Sequence, residues 1–261
     1  MSLGTAVWYA YLAIEAILIL LLIYRRVWRS LPTFFLYCVW DLFSNLSALF
    51  VTRFYSGNYL NVYFTETVID SIFLFCVLLE LAWSLLRPLR TFISRKMILV
   101  LGALILMAAA SIWPFAAISN IIRGSREAHT LMQLQQTTAI LRIFFFLLLA
   151  AGSRSLSISW RDRELQVATG LGFFSLVNIS VSIAQFHMND ELTYARLQTL
   201  IVAGFTCSLC YWIYCFAQKE PERREFTPEM RRVLLALAGA AHADRIALES
   251  RTDKPGKRDR D

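Results

Sequence analysis

Three carboxylates lie in one strongly apolar stretch, TETVIDSIFLFCVLLELAW, which runs from Thr65 to Trp83. They are Glu66, Asp70 and Glu80. Acids in such a stretch can bind cations, relay protons or hold a buried guanidinium, and they are costly wherever they face hydrocarbon. A helix turns by about 100° per residue, so the three acids share one face along roughly 21 Å of helix. We therefore expect an acidic stripe that faces other helices rather than lipid.

Polar residues recur at helical spacing in most of the other apolar stretches and are predicted to meet this stripe. They are Tyr11, Glu15, Tyr37, Asp41, Ser44, Asn45, Gln135, Thr138, Arg142, Ser175, Asn178, Ser182, Gln185, Thr199, Thr206 and Cys210. We predict that they surround an internal polar pocket for a small ligand or an ion. The candidate binding residues are Glu15, Asp41, Asn45, Glu66, Asp70, Glu80, Gln135, Arg142, Asn178 and Gln185. Buried polar contacts can also serve only to fix how helices pack, so a purely structural role stays open.

A single arginine, Arg142, lies midway along an apolar stretch. Because a guanidinium keeps its proton, Arg142 is predicted to bind a carboxylate, with Asp41 and Asp70 the best candidates and Glu15 the third. These three acids lie at a similar depth and outnumber the one arginine. We therefore expect at least one of them to be protonated, or to be neutralised by a bound cation or a cationic ligand group.

The elements that carry these residues are predicted from hydropathy. The chain has 261 residues, 57% of them hydrophobic, and a mean hydropathy of +0.52, whereas soluble domains are about 45–50% apolar. Apolar runs of about 18 residues or more are typical of membrane-spanning helices. The sequence therefore predicts an all-α, polytopic membrane protein whose residues 1–217 form a bundle of seven transmembrane helices. The spans are predicted at 6–24, 32–52, 60–86, 97–119, 131–152, 165–187 and 197–217.

The basic residues predict the orientation of the bundle, because short cytoplasmic loops are enriched in lysine and arginine. Ten of them fall in the loops of one side and four in the loops of the other. The N-terminus is thus predicted outside and the C-terminus in the cytoplasm, in the inner membrane if the protein is bacterial. The net charge of +7 then faces anionic lipid headgroups and does not indicate nucleic-acid binding.

The tail, residues 218–261, changes sharply to charged residues. Thr227 is a suitable N-cap, Pro228 suits the first helical position, and apolar residues share one face behind them. A short cytoplasmic amphipathic helix is predicted at about 228–250, followed by a disordered end. This helix is expected to lie on the membrane surface or to bind a membrane or cytoplasmic protein partner.

Several chemistries lack their usual residues. No lysine lies within a predicted span, which argues against a retinal Schiff base, and the three histidines lie at predicted helix ends or in the tail, which argues against a bis-histidine haem. The sequence also contains no glycine-rich phosphate loop, no HExxH and no GxSxG motif. We expect no cofactor, no metal site and no enzymatic activity.

Three stretches carry a resemblance to known proteins: RSLPTFFLYCVWDLF, YLNVYFTETVIDSIFLFCVLLELAW and WRDRELQVATGLGFFSLVNI. They are similar to a group of uncharacterised seven-span bacterial membrane proteins. The predicted architecture also resembles the membrane modules of bacterial seven-helix sensor proteins. That resemblance implies a sensing role exercised through a separate partner, since no effector domain follows the spans here.

Three functions are consistent with these observations. The first is a receptor- or sensor-like module that binds a small ligand or an ion in the polar pocket. The second is a proton- or cation-coupled transporter or channel that uses Glu66, Asp70 and Glu80 as a relay, although no inverted repeat is evident. The third is a structural or accessory subunit of a larger membrane complex.

Overall fold

The computed structural model describes residues 3–54, 59–85, 97–116, 126–152, 162–186 and 191–218. Over these residues the chain is all-α, with seven α-helices and no strand. A short 3-10 helix, Val27–Arg29, joins the first two α-helices. The helices are α1 Leu3–Tyr24, α2 Pro32–Phe54, α3 Tyr59–Leu85, α4 Met97–Ala116, α5 Arg126–Gly152, α6 Arg163–Phe186 and α7 Glu191–Ala217.

Each helix overlaps one of the predicted segments, but α5 and α7 begin earlier than predicted, at Arg126 and Glu191 instead of 131 and 197. Both helices start in polar sequence, where a prediction based on hydropathy has no signal. The predicted tail helix at 228–250 and the predicted disordered end lie outside the described residues.

Five helices are long and apolar enough to cross a membrane, which indicates a multi-pass membrane protein. Their apolar parts are Val62–Ser84, Ile98–Ala116, Gln133–Ala151, Arg163–Gln185 and Arg196–Ala217. Many large apolar side chains point outward from the bundle, among them Leu99 of α4, which is 73% exposed. A surface of this kind suits lipid rather than water.

Helices that follow each other along the chain run antiparallel, as two pairs show. Between α2 and α3, residues later in α2 contact residues earlier in α3. Ser47 contacts Glu66, Trp40 stacks on Phe73 with ring centroids 5.9 Å apart, and Thr33 contacts Glu80. The same pattern joins α6 to α7, where Phe174 packs against Phe205 at 4.7 Å and the Trp212 indole donates to the Gln166 carbonyl at 3.3 Å.

Contacts at the helix ends show which termini lie together. Arg25, just beyond α1, donates a hydrogen bond to the carbonyl of Ala217 at the end of α7. At the opposite end of the bundle, the Gln135 amide of α5 donates to the Tyr63 hydroxyl of α3 at 3.0 Å. We call these two ends the Arg25 end and the Tyr63 end. The helices therefore alternate in direction through the bundle.

An aromatic column forms the centre of the core. It consists of Phe34 of α2, Trp212 and Phe205 of α7, and Phe174 of α6. Successive ring centroids are 5.1, 6.2 and 4.7 Å apart, and each pair meets edge to face, the arrangement that aromatic quadrupoles favour. Trp212 has no exposed surface. The column fixes α7 against both α2 and α6.

Gly170 of α6 allows the column to pack closely. A Cβ added at this position would lie 2.3 Å from Nε1 of Trp212. The Ser208 hydroxyl also donates to the Gly170 carbonyl at 3.0 Å, so the α7 backbone approaches α6 here. Small residues permit such close helix packing in membranes.

We predict that Gly170→Ala lowers the stability of the bundle by about 1–3 kcal/mol, because the new methyl group must displace a fully buried indole. Gly102→Ala is the matched control, since its Cβ would meet only Leu79 Cδ1 at 3.9 Å. Alanine should be neutral there or stabilising by about 0.5–1 kcal/mol, through its helix propensity. Melting temperatures in mild detergent compare the two variants. Equal melting temperatures would contradict this account of the α6–α7 contact.

Candidate ligand-binding site

A cavity of about 230 Å³ lies between α1, α2, α3, α6 and α7, in the half of the bundle toward the Tyr63 end. Its polar wall consists of Asp41, Asn45 and Asp70. The other lining side chains are the aromatic residues Trp8, Tyr11, Tyr37, Phe174 and Phe205 and the aliphatic residues Ile201 and Val202. The cavity thus places two carboxyl groups opposite an aromatic and aliphatic wall.

A hydrogen-bonded chain fixes one side of this polar wall. The Tyr11 hydroxyl of α1 donates to Oδ2 of Asp41 at 2.5 Å, and the Asn45 amide donates to the Tyr11 oxygen at 2.9 Å. The same amide donates to the Asp41 carbonyl at 2.8 Å, one helical turn back. Asp41 is therefore held in one orientation between α1 and α2.

Glu15 lies directly behind Asp41 and is only 1% exposed. The carboxyl groups of Glu15 and Asp41 interact at hydrogen-bonding range. No donor among the described residues reaches Oε2 of Glu15. Two carboxyl groups this close repel each other when both are ionised, and a proton on either one supplies the missing donor. One proton shared between the two carboxyl groups would both satisfy Oε2 of Glu15 and remove the repulsion.

Asp70 forms the other side of the polar wall. Its carboxylate accepts no hydrogen bond from the part of the chain that the structure describes; its interactions are electrostatic, with Asp41 and Arg142. The group therefore enters the cavity with its acceptor capacity unused. Buried polar groups are nearly always hydrogen-bonded, so an unused carboxylate that lines a cavity is a distinctive feature of a site.

The contacts of Arg142 differ from the predicted ion pair with a carboxylate. Its Nε donates to the Thr138 carbonyl of the preceding turn at 3.3 Å, and its guanidinium carbon lies 5.4 Å from the centroid of the Phe174 ring. Within the described ranges it forms no ion pair with a carboxylate. Asp70 is the acid whose charge acts on it, whereas Asp41 is engaged with Tyr11. The cation is stabilised by the ring face and a carbonyl, with Asp70 at longer range.

Glu80 does not line the cavity, because it caps another helix. Its two carboxylate oxygens accept hydrogen bonds from the backbone N–H groups of Thr33 and Phe34, at 3.0 and 2.9 Å. These are the second and third residues of α2, whose free N–H groups an N-cap side chain normally satisfies. The residue before the helix is Leu31, whose side chain has no acceptor, so Glu80 of α3 supplies one instead.

The other predicted site residues lie away from the cavity as well. Glu66 accepts a hydrogen bond from the Ser47 hydroxyl of α2, and Gln135 donates to the Tyr63 hydroxyl. The carbonyl of Asn178 accepts from the Ser182 hydroxyl, while Nε2 of Gln185 is buried without an acceptor among the described residues. The three acids of α3 all face α2, but only Asp70 belongs to the site.

Tyr11 and Tyr37 of the aromatic lining were predicted from the sequence, whereas Trp8, Phe174 and Phe205 were not. Trp8 lies three residues before Tyr11 and seven before Glu15, so helical spacing could have placed it on the same inward face. Phe174 is likewise four residues before Asn178. Searching only for polar residues left out the apolar side chains that make up most of the wall.

No group of three or more His, Cys, Asp or Glu side chains in the described ranges is arranged to hold a metal ion. No protein-family model matches the chain, and neither a curated protein nor a solved structure matches it. Its function must therefore be inferred from the chemistry of the site.

The relation between Arg142 and Asp70 can be tested by a double substitution. Arg142→Met leaves the Asp70 charge uncompensated, and we expect a loss of about 1–3 kcal/mol, less than the 3–5 kcal/mol of a directly paired ion. Adding Asp70→Asn should restore part of the melting temperature, whereas adding Asp41→Asn should not, since Asp41 is bound by Tyr11. A thermally silent Arg142→Met, or rescue by Asp41→Asn alone, would overturn this assignment.

Proposed function

We propose that this protein is a receptor- or sensor-like membrane module, without enzymatic activity, that binds a small ligand in the cavity and acts through a separate partner. The observation that carries this proposal is the composition of the cavity wall, which is drawn from α1, α2, α3, α6 and α7. A ligand in contact with so many helices favours the packing in which it binds best, and so can bias the arrangement of the bundle.

All seven helices are proposed to cross the membrane, including α2 and also α1, whose apolar part Trp8–Tyr24 is shorter than those of the five. In support, α2 pairs with α3 along most of its length, and Arg25 joins the end of α1 to the end of α7. We place the Arg25 end in the cytoplasm, because basic loops favour that side. The cavity then faces the outer side of a bacterial inner membrane.

The helix α7 provides a route from the cavity to the tail. Ile201, Val202 and Phe205 of this helix line the cavity, and its last residue, Ala217, binds Arg25 before the tail begins. Movement of α7 would thus alter the point where the tail leaves the bundle. We propose that the tail transmits this change to a membrane or cytoplasmic protein partner.

The transporter alternative requires a polar path from Asp70 to Glu80. Between these acids, Leu74 and Val77 of α3 are buried, and Trp40 stacks on Phe73. Both oxygens of Glu80 are already bound to the α2 backbone. An apolar layer of this kind supports a binding pocket over a relay. The accessory-subunit alternative predicts co-purifying subunits without a retained small molecule.

The proposed orientation predicts which single cysteines react in intact cells. In a variant lacking the native cysteines, Ser56→Cys should react with a membrane-impermeant thiol reagent, because the sequence predicts this position in a loop on the outer side. Arg26→Cys should react only after the membrane is permeabilised. The reverse pattern would contradict the orientation and place the cavity on the cytoplasmic side.

The binding proposal predicts that protein purified in mild detergent retains a small molecule that mass spectrometry detects after denaturation. Ile201→Trp should abolish retention by filling the cavity. Leu200→Trp is the matched control, because Leu200 is 54% exposed and does not line the cavity. Co-purifying subunits without any retained molecule, in both variants and in the parent protein, would favour the accessory-subunit alternative and contradict ligand binding.

A further inference from the structure

We propose that the cavity recognises a small organic cation, an ammonium group that carries apolar substituents. This inference rests on the proposed function and adds the chemical class of the ligand. Three features of the described residues carry it: an uncompensated negative charge, an aromatic wall and a small volume.

The charge balance of the site leaves room for one positive charge. Three carboxyl groups lie in or behind the cavity wall, those of Glu15, Asp41 and Asp70, and one proton can be shared between Glu15 and Asp41. Arg142 offsets one of these, from a position outside the cavity wall where it lies over Phe174. Among the described residues, no lysine, arginine or histidine lines the cavity. A monovalent cation beside Asp70 would neutralise the remainder.

The aromatic wall selects the type of cation. Trp8, Tyr11, Tyr37, Phe174 and Phe205 present π-systems to the cavity. A cation over an aromatic face is attracted by the ring quadrupole, and rings grouped around one space are the usual way proteins bind quaternary ammonium groups. A strongly hydrated alkali ion would instead need oxygen ligands on all sides. The carboxylate and amide oxygens of Asp41, Asn45 and Asp70 lie on one wall, and the aliphatic side, Ile201 and Val202, provides none.

The volume limits the size of the ligand. Pockets for drug-sized molecules measure about 300–1,000 Å³, and this cavity is smaller, at about 230 Å³. Its aliphatic side, Ile201 and Val202, suits methyl or short alkyl groups on the nitrogen. The ammonium group would lie against Asp70, whose acceptor capacity is unused, with its substituents against the rings.

The test is binding of choline to the full-length protein in maltoside detergent, measured by calorimetry and by the rise in melting temperature. The neutral isostere 3,3-dimethyl-1-butanol and sodium chloride at equal concentration are the comparison ligands. Choline should bind at least about tenfold more tightly than either. Dihexanoylphosphatidylcholine distinguishes a lipid headgroup from a free cation as the source, since tighter binding of the lipid would assign the site to a headgroup.

Two variants locate the site. Asp70→Asn removes the charge at constant size and should weaken choline binding by about tenfold or more, whereas Glu66→Gln, one turn away on α3 and outside the cavity wall, should leave it unchanged. Trp8→Leu should weaken choline binding several-fold through loss of one ring. If Asp70→Asn does not fold, the choline affinity of Trp8→Leu decides whether choline binds in this cavity.

Absence of choline binding to the folded protein, or equal binding of sodium, would overturn the inference. Equal binding of the neutral alcohol would also overturn it, but would leave the proposed small-molecule pocket intact. The proposed function itself fails by a separate criterion: either the parent protein retains no molecule, or Ile201→Trp retains as much as the parent.

Discussion

An ionised carboxylate within the apolar part of a bundle must be given hydrogen bonds, a counter-charge or water, and this constraint determines how α3 packs. All three acids of α3 face α2, and each has different surroundings there. Glu66 accepts from Ser47, Glu80 caps the start of α2, and Asp70 opens into a cavity. The first two fix the antiparallel pairing of α2 and α3. Only the third is left free for a ligand.

The aromatic column has a complementary role, because it joins the start of α2 to the cavity wall through apolar contacts. The backbone N–H of Phe34 donates to Glu80. The Phe34 ring packs against Trp212, which in turn packs against Phe205 in the cavity wall. Gly170 permits that connection by leaving space for the indole. The same α7 side chains therefore belong both to the packed core and to the proposed site, which makes α7 the element most directly affected by ligand binding.

Hydropathy was sufficient to find every α-helix in the described ranges, because a long apolar segment is the pattern that predicts a membrane helix. It could not find the polar beginnings of α5 and α7. Helical spacing correctly placed Glu66, Asp70 and Glu80 on one face, yet it could not assign their roles, since these depend on which backbone groups and hydroxyls a neighbouring helix brings close. Leu31 before α2 was a usable signal, because a helix without its own capping side chain needs an acceptor from elsewhere. Tertiary contacts alone show that Arg142 lies over Phe174 rather than against an acid.

The central claim is that Asp70 lines a cavity that is open to small cations from the outer side. The most direct measurement is the reaction rate of Asp70→Cys, in a variant lacking the native cysteines, with a small cationic methanethiosulfonate added outside intact cells. We predict that this position reacts and that Val77→Cys, which replaces a side chain with no exposed surface, does not react. An unreactive Asp70→Cys in folded protein, or one that reacts only from the cytoplasmic side, would contradict the account.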